Sequence, residues 1–292
     1  MNWLQLILNY MTAQSVLVPN RDYINTTNGR IVRINEGKVK IHAFQPAQYV
    51  VSTYIIELPS KLVVIDFQIS PADAANFLQY ARTLNKPIDH GILTHYHFDH
   101  WLGVESFENT TPIYALPETI GQLRDVYVNG RENAFKTKAA EFLKYLKPID
   151  LGLKVMDGVE FYFEKIAATE NPYSLMVRLP AFSVMVAGDL VNNQRHVYLA
   201  EVSDFSRWIS TLEAFLKTYP YRNVLVGHGD PSGPQQIREN IEYLNFVRNI
   251  ANNFKSLAQY RASILKQYPS YPNEGIVDCP FTNFNCIFGV FQ

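Results

Sequence analysis

Three of the chain's seven histidines fall within six residues, in Thr94-His95-Tyr96-His97-Phe98-Asp99-His100. At the chain's own frequencies of His and Asp, an H-x-H-x-D-H pattern arises by chance on the order of once in ten thousand chains. Neutral imidazole combined with carboxylate suits zinc, iron or manganese. In an extended segment, side chains two apart project to one side, so His95 and His97 can share one ion while Tyr96 and Phe98 face away. Asp99 and His100 follow where the chain turns into Trp101-Leu102-Gly103, and they offer a carboxylate and a third imidazole to a second ion. The competing reading is a patch of surface histidines or a closed structural metal knot. Structural zinc sites are rich in Cys, and the chain's two cysteines, Cys279 and Cys286, both lie near its far end, which disfavours the knot.

The elements around this motif must hold it at the end of a strand. From Gly29 to Phe67 the sequence runs in short β-branched and aromatic stretches, Arg30–Ile34 and Tyr49–Ile56 among them, broken at Glu36-Gly37 and at Leu58-Pro59-Ser60. That pattern predicts a meander of strands. A helix is expected from about Pro71 to Leu84, with Pro at its first position, followed by an apolar strand, Gly91–Thr94, that leads into the histidines. Residues 131–146 read as a helix. Val159–Phe163, Ser174–Leu179 and Phe182–Val186 read as strands, the last two joined through Pro180-Ala181. A helix over Asp204–Thr218 places Trp208, Leu212 and Phe215 on one face, and Asn223–Val226 is a short buried strand. The final long helix carries Ile237, Ile241, Leu244, Val247, Ile250, Phe254 and Leu257 at three- and four-residue spacing. This amphipathic stripe packs on a sheet or on a partner chain, so a homodimer is compatible with it. Two β-rich halves with interleaved helices, no linker and no repeat imply one domain of two sheets with helices outside. His42 and His90 have no partner motif and are expected to be structural residues of strands.

Composition narrows the function further. With 292 residues, 47% of them apolar, the chain can bury a sizeable core. Its 26 Lys and Arg balance 27 Asp and Glu to a net charge of -1 without dense like-charge blocks, so it lacks the electrostatic footprint of a nucleic-acid binder. No apolar run approaches the roughly 18–20 residues needed to cross a bilayer. Trp3–Leu8 is apolar but short, has no Lys or Arg before it and no small-x-small cleavage site after it, and reads as a packed arm rather than a signal peptide. That leans towards the cytoplasm over the periplasm or secretion, but Cys279 and Cys286 fit either two reduced thiols or one small disulfide loop, and the compartment stays open.

The motif at the end of a strand, preceded by Val63-Val64-Ile65-Asp66 and followed by Ala187-Gly188-Asp189 and Gly227-His228-Gly229, resembles the metallo-β-lactamase superfamily over residues 30–232. The resemblance implies an α+β four-layer αββα sandwich with metals at one edge between the sheets. It implies an N-terminal arm over 1–29, a catalytic domain over 30–232, and a C-terminal helix and tail over 233–292 packed on that same domain. Carried over by residue, it assigns His95 and His97 to a first metal, Asp99, His100 and His228 to a second, and Asp189 to a bridge between them. Asp66 would orient the ligand loop from behind through hydrogen bonds.

The superfamily usually supplies a third histidine to the first metal, yet no His lies between His100 and His196. The corresponding turn reads Ala168-Thr169-Glu170-Asn171-Pro172-Tyr173, with Glu170 where the His would be. A Thr-Glu-x-Pro turn is similar to the alkylsulfatase branch, although those enzymes are longer and use Glu where this chain has Asp189. Asp99, Glu170, Asp189 and a bridging hydroxide would neutralise both divalent ions, a weaker Lewis acid than a three-His site. A bound water with a pKa above the roughly 7 of an all-imidazole zinc site is then expected. Zinc is the first expectation for the two ions, with manganese or iron tolerated.

The implied activity is hydrolysis of a small-molecule ester, lactone, lactam or sulfate ester by a hydroxide held between two metals, with Asp99 also relaying a proton. Trp101, Tyr173, His196 and the segment around Tyr127 are expected to wall the pocket. A di-iron redox enzyme is one alternative, but no appended flavin-binding domain fits after residue 232. A non-catalytic metal or small-molecule binding protein on the same fold is another, and it would be expected to have lost ligands.

Overall fold

A computed structural model of the protein describes residues 21–26, 28–48, 51–107, 111–130, 133–202, 204–272 and 275–277. The expectations for Trp3–Leu8, for Cys279 and Cys286, and for the end of the tail, residues 278–292, fall outside these residues.

Thirteen strands form two sheets among the described residues. The first has eight strands in chain order: β1 (Arg21–Thr26), β2 (Gly29–Glu36), β3 (Val39–Pro46), β4 (Thr53–Glu57), β5 (Leu62–Ile65), β6 (Ile88–Ile92), β7 (Ile113–Ala115) and β8 (Leu146–Pro148). The second runs β13 (Asn223–His228), β12 (Val184–Asn192), β11 (Tyr173–Leu179), β10 (Val159–Ala167), β9 (Gly152–Met156). Short turns make β1 to β5 antiparallel. Longer crossovers make β5 to β8, and β12 with β13, parallel. The helices in or after those crossovers are α1 (Pro71–Thr83), α2 (Pro117–Leu123), α3 (Lys136–Phe142), α4 (Phe205–Thr218), α5 (Gln235–Ala251) and α6 (Leu257–Gln267).

Side-chain alternation along the central strands builds the layers. On β5, Leu62 and Val64 join the cluster under α1 to α3, whereas Val63 and Ile65 enter the cluster between the sheets. On β12, Val184 and Val186 point between the sheets and Met185 and Ala187 point outward to α4, α5 and α6. Both sheets are thus apolar on both faces, which is why these strands read as unbroken hydrophobic runs. The result is the four-layer αββα sandwich.

Several boundaries differ from the sequence reading. Arg21–Thr26, assigned to an arm, pairs with β2 as the edge strand of the first sheet. The final helix is two: α5 ends at Ala251, and the Ser256 hydroxyl accepts from the Gln259 backbone N–H to start α6. Ile237, Leu244 and Val247 of α5 pack on the second sheet, so the stripe covers this chain's own core. The strand expected from Phe182 starts at Val184, because Pro180–Phe182 makes a tight turn and Ser183 takes a left-handed φ of 54°. In the expected 131–146 helix, the α-helical part is Lys136–Phe142. Among the described residues no helix is long and apolar enough to cross a membrane.

Candidate metal centre

The carboxyl ends of parallel strands are where an α/β sheet leaves room for ligands, and the candidate residues collect there. Asp66 follows β5 with a left-handed φ of 60°. Its carboxylate accepts from Thr94 N at 2.9 Å, Thr94 Oγ1 at 2.9 Å and His100 Nδ1 at 2.8 Å, all buried. These bonds fix the protons beyond Asp66. Thr94 Oγ1 gives its hydrogen to Asp66 and accepts from His95 Nδ1 at 3.0 Å, which leaves the lone pair of His95 on Nε2. His100, donating from Nδ1, likewise keeps Nε2 for the other side.

Asp189 and His228 arrive from the second sheet. The pairing of β12 with β13 is irregular at Gly188, whose φ is 53°, and this bend turns Asp189 inward between the sheets' ends. Gly227 on β13 permits it: a Cβ there would fall on Asp189 Oδ1. Asp189 Oδ1 then lies 3.2 Å from His100 Nε2, while Oδ2 lies 3.1 Å from His228 Nε2 and 3.8 Å from His95 Nε2. Asp99 Oδ2 is 3.4 Å from His228 Nε2 and 3.7 Å from His100 Nε2.

Glu170 sits in the turn between β10 and β11. Asn171 braces it, its Nδ2 donating to Glu170 Oε2 at 2.7 Å and to Ser174 Oγ at 2.9 Å. A backbone bond of 2.8 Å from Leu175 N to Thr94 O ties this turn to the histidine segment. The other carboxylate oxygen, Oε1, faces His97 Nδ1 at 3.3 Å.

Two donor sets result, each able to hold a cation: His95, His97, Glu170 and Asp189, and beside it Asp99, His100 and His228. His95 Nε2, His100 Nε2, Glu170 Oε1 and Asp189 Oδ1 are buried without a hydrogen-bond partner. Buried polar atoms are normally paired, so four orphans in one cluster of imidazoles and carboxylates fit divalent cations well. The electrostatics agree. Burial would raise Asp189, but His228, His100 and His95 hold it well below the usual carboxylate range. Burial pushes Glu170 up to about 8. Burial also drives His95 well below an ordinary imidazole, whereas for His97 the charges of Glu170 and Glu201 outweigh burial and push it up to about 10. Protons on these groups occupy the place a cation would take, and metal binding would release them.

A profile of the metallo-beta-lactamase superfamily matches residues 47–228, more than half of the chain. The chain belongs to the metallo-beta-lactamase superfamily. Among solved structures, a metallo-beta-lactamase from Erythrobacter litoralis with beta-mercaptoethanol in its active site is similar at a TM-score of 0.57 and 14% identity, covering 77% of this chain and 99% of the other. A metallo-beta-lactamase from Pontibacter korlensis matches at 0.56 and 15%, covering 77% and 99%. The FIM-1 metallo-beta-lactamase from Pseudomonas aeruginosa in its mono-zinc form matches at 0.55 and 16%, covering 78% and 96%. At these identities the likeness speaks for the fold. No curated protein matches the chain.

Around the two donor sets, the expected pocket walls are partly misplaced. Trp101 is fully buried, stacks on Phe142 at 5.7 Å and donates from Nε1 to Tyr96 O, so it belongs to the core; Tyr127 packs edge-on against it there. The tight turn over Phe98–His100 swings Trp101 inward instead of along the site. His196 lies apart from both donor sets, buried with Nδ1 3.1 Å from Tyr243 OH and its ring against Tyr271. Tyr173 does line a cavity of about 300 Å³, with Asn171, Glu201 and Arg207. Glu201 escaped the sequence reading. It accepts from Tyr96 OH at 2.5 Å and from His97 Nε2 at 3.3 Å, which turns His97 Nδ1 towards Glu170. It lies more than a hundred residues from His97 in an irregular loop, and no spacing marks it. His42 and His90 sit on β3 and β6 and pair with Glu57 and Asp89.

Proposed function

We propose that the chain is a metal-dependent hydrolase of a small-molecule ester, lactone, lactam or sulfate ester, with two divalent ions held by His95, His97, Glu170, Asp189, Asp99, His100 and His228. The supporting observation is the pair of adjoining donor sets with buried, unpartnered His95 Nε2, His100 Nε2, Glu170 Oε1 and Asp189 Oδ1. Zinc is the first choice for both ions, with manganese or iron accommodated by the carboxylate-rich set. Ions there would supply a Lewis acid for the oxygen that gains charge and an activated water.

The chain's own groups divide the remaining work. Asp66 and Thr94 set the tautomers of His100 and His95, and Glu201 sets that of His97. Asp99, 18% exposed at its side chain, is the most open carboxylate of the cluster and takes up the proton lost by the attacking water. Tyr173 and Asn171 border the space on the Glu170 side.

The test is turnover of chromogenic ester, lactone, lactam and sulfate ester substrates by protein loaded with zinc or manganese. At least one class should be hydrolysed, and Asp99→Asn should slow that reaction about 100-fold or more. Fully loaded protein inert towards all four classes would sink the reading.

A further inference from the structure

The edge of a β-sheet offers unpaired N–H and C=O groups to any extended chain, and folded proteins guard their edges with charge, Pro, shortness or cover. Three of the four edges here are guarded. β1 carries Arg21, Asp22 and Asn25, with Asp22 paired to Arg33 at 3.0 Å. β8 is three residues long and holds Lys147 and Pro148. On β13, Val224 N donates to Ser232 O at 2.7 Å and Val224 O accepts from Ser232 N at 2.9 Å, so the following loop covers that edge. β9 has no such guard: among the described residues it pairs with β10 alone.

The side chains of this strand are apolar where they meet solvent. Met156 points between the sheets, and the alternate residues Leu151, Leu153 and Val155 face outward, 47%, 54% and 64% exposed. α4 to α6 pack on Ile166, Met176, Met185 and Val224 of the same sheet without reaching Leu153 or Val155. Tyr162 of β10 stands opposite Leu153 and continues the surface, with the Arg178 guanidinium stacked over its ring at 4.2 Å. Lys154, the one charged residue of β9, is paired with Asp150 at 2.8 Å. The edge is also held in place, because the Asp157 carboxylate in the β9–β10 turn accepts from Ser60 N at 2.5 Å and from Ser60 Oγ at 2.9 Å.

We infer that β9 is a dimerisation strand, pairing antiparallel with β9 of a second copy of this chain about a two-fold axis through Leu153. In that register the strand is complementary to itself. Leu153 meets its own copy, and Val155 of each chain faces Leu151 of the other. Lys154 lies opposite Gly152 and diagonal to Asp150 of the other chain, so unlike charges approach across the axis. Moving the axis to Lys154 would set two ammonium groups opposite each other. Moving it to Gly152 would put that residue's left-handed φ of 93° at the centre of the pairing. The dimer joins two five-stranded sheets into one continuous sheet and uses up the bare edge, so assembly stops at two. It requires nothing of the metal centre and stands apart from the hydrolase reading.

The experiment is sedimentation equilibrium of the full chain as wild type, Leu153→Lys, Leu153→Cys and Tyr23→Lys, at concentrations up to about 100 μM, where weak interfaces assemble. Far-UV circular dichroism checks that each variant is folded. Wild type should sediment at twice its chain mass of 33.5 kDa. Leu153→Lys places like charges at the axis and should weaken the dimer by more than about tenfold, whereas Tyr23→Lys, on the exposed β1 edge, should keep it. Directly opposed Cβ atoms lie about 4.5–5.5 Å apart. Under mild oxidation Leu153→Cys should therefore link two chains through the introduced thiol, as read from the mass of the linked peptide. A monomeric wild type overturns the inference, whether the edge stays bare or another segment of the chain covers it. So does a dimer that Leu153→Lys leaves intact, a dimer that Leu153→Cys fails to trap, or assembly beyond two.

Discussion

Two buried histidine–carboxylate clusters sit on the first sheet's strands or at their ends, and they differ in how their polar atoms are spent. On β3 and β4, His42 Nδ1 meets Tyr80 OH at 2.7 Å, His42 Nε2 donates to Glu57 Oε2 at 2.9 Å, and Glu57 Oε1 accepts from Lys86 at 2.8 Å. Both imidazole nitrogens and both carboxylate oxygens are satisfied. Beyond β5 and β6, Asp66 satisfies one side of His100 and, through Thr94, one side of His95, and the other sides are left facing Asp189 without hydrogen bonds. The first cluster closes on itself and stabilises the fold. The second is half-closed, with its outer bonds spent on aiming its inner atoms at a common point. Burial and residue type are shared; the difference is in unspent hydrogen-bonding capacity.

The comparison can be broken by substitution. Asp189→Ala removes a carboxylate of the first donor set that also faces His100 and His228 of the second, and metal affinity should fall by more than about 100-fold in competition with a chelating dye. Asp66→Ala releases Thr94 and His100 together and should weaken metal binding by about 10- to 100-fold. Glu201→Leu frees Tyr96 OH and, of the candidate ligands, only His97 Nε2, so its loss should stay near the lower end, about tenfold. Glu57→Gln should leave metal content unchanged while costing about 1–3 kcal/mol of fold stability in urea unfolding. If Glu57→Gln lowered metal affinity as much as Asp66→Ala does, the contrast between the clusters would fail.

A pH series sharpens the same contrast. Burial holds His42 below its ordinary 6.5 in spite of Glu57. Burial would raise Glu57, yet hydrogen bonds from Lys86 and His42 hold it below its ordinary 4.5. Both groups bind protons less readily folded than unfolded, so their contribution is complete above about pH 6.5. It declines as pH falls, through His42 first and Glu57 later. The stability advantage of wild type over His42→Gln should therefore shrink between pH 7.5 and about 5 in thermal melts. An advantage that grows on acidification would contradict this assignment.

Much of the architecture was legible because buried central strands are apolar on both faces and end at Gly, Pro or a helix cap. The break between α5 and α6 was not, since the apolar stripe continues through Phe254 and Leu257 while Ser256 restarts the helix locally. At the centre, the motif, Asp189 and His228 could be read from order and spacing, and Glu170 from the turn it occupies. Glu201 could not, because its position depends on how an irregular loop folds back over Tyr96. Trp101 was misread because proximity in sequence says nothing about which way a tight turn points its side chain.

The central claim is that the half-closed cluster holds metal, and elemental analysis of protein purified without chelator tests it most directly, wild type beside Glu170→Ala. The account predicts about two ions per chain in wild type and roughly one in the variant. A wild-type protein that retains no metal, even after soaking with zinc or manganese, would contradict it.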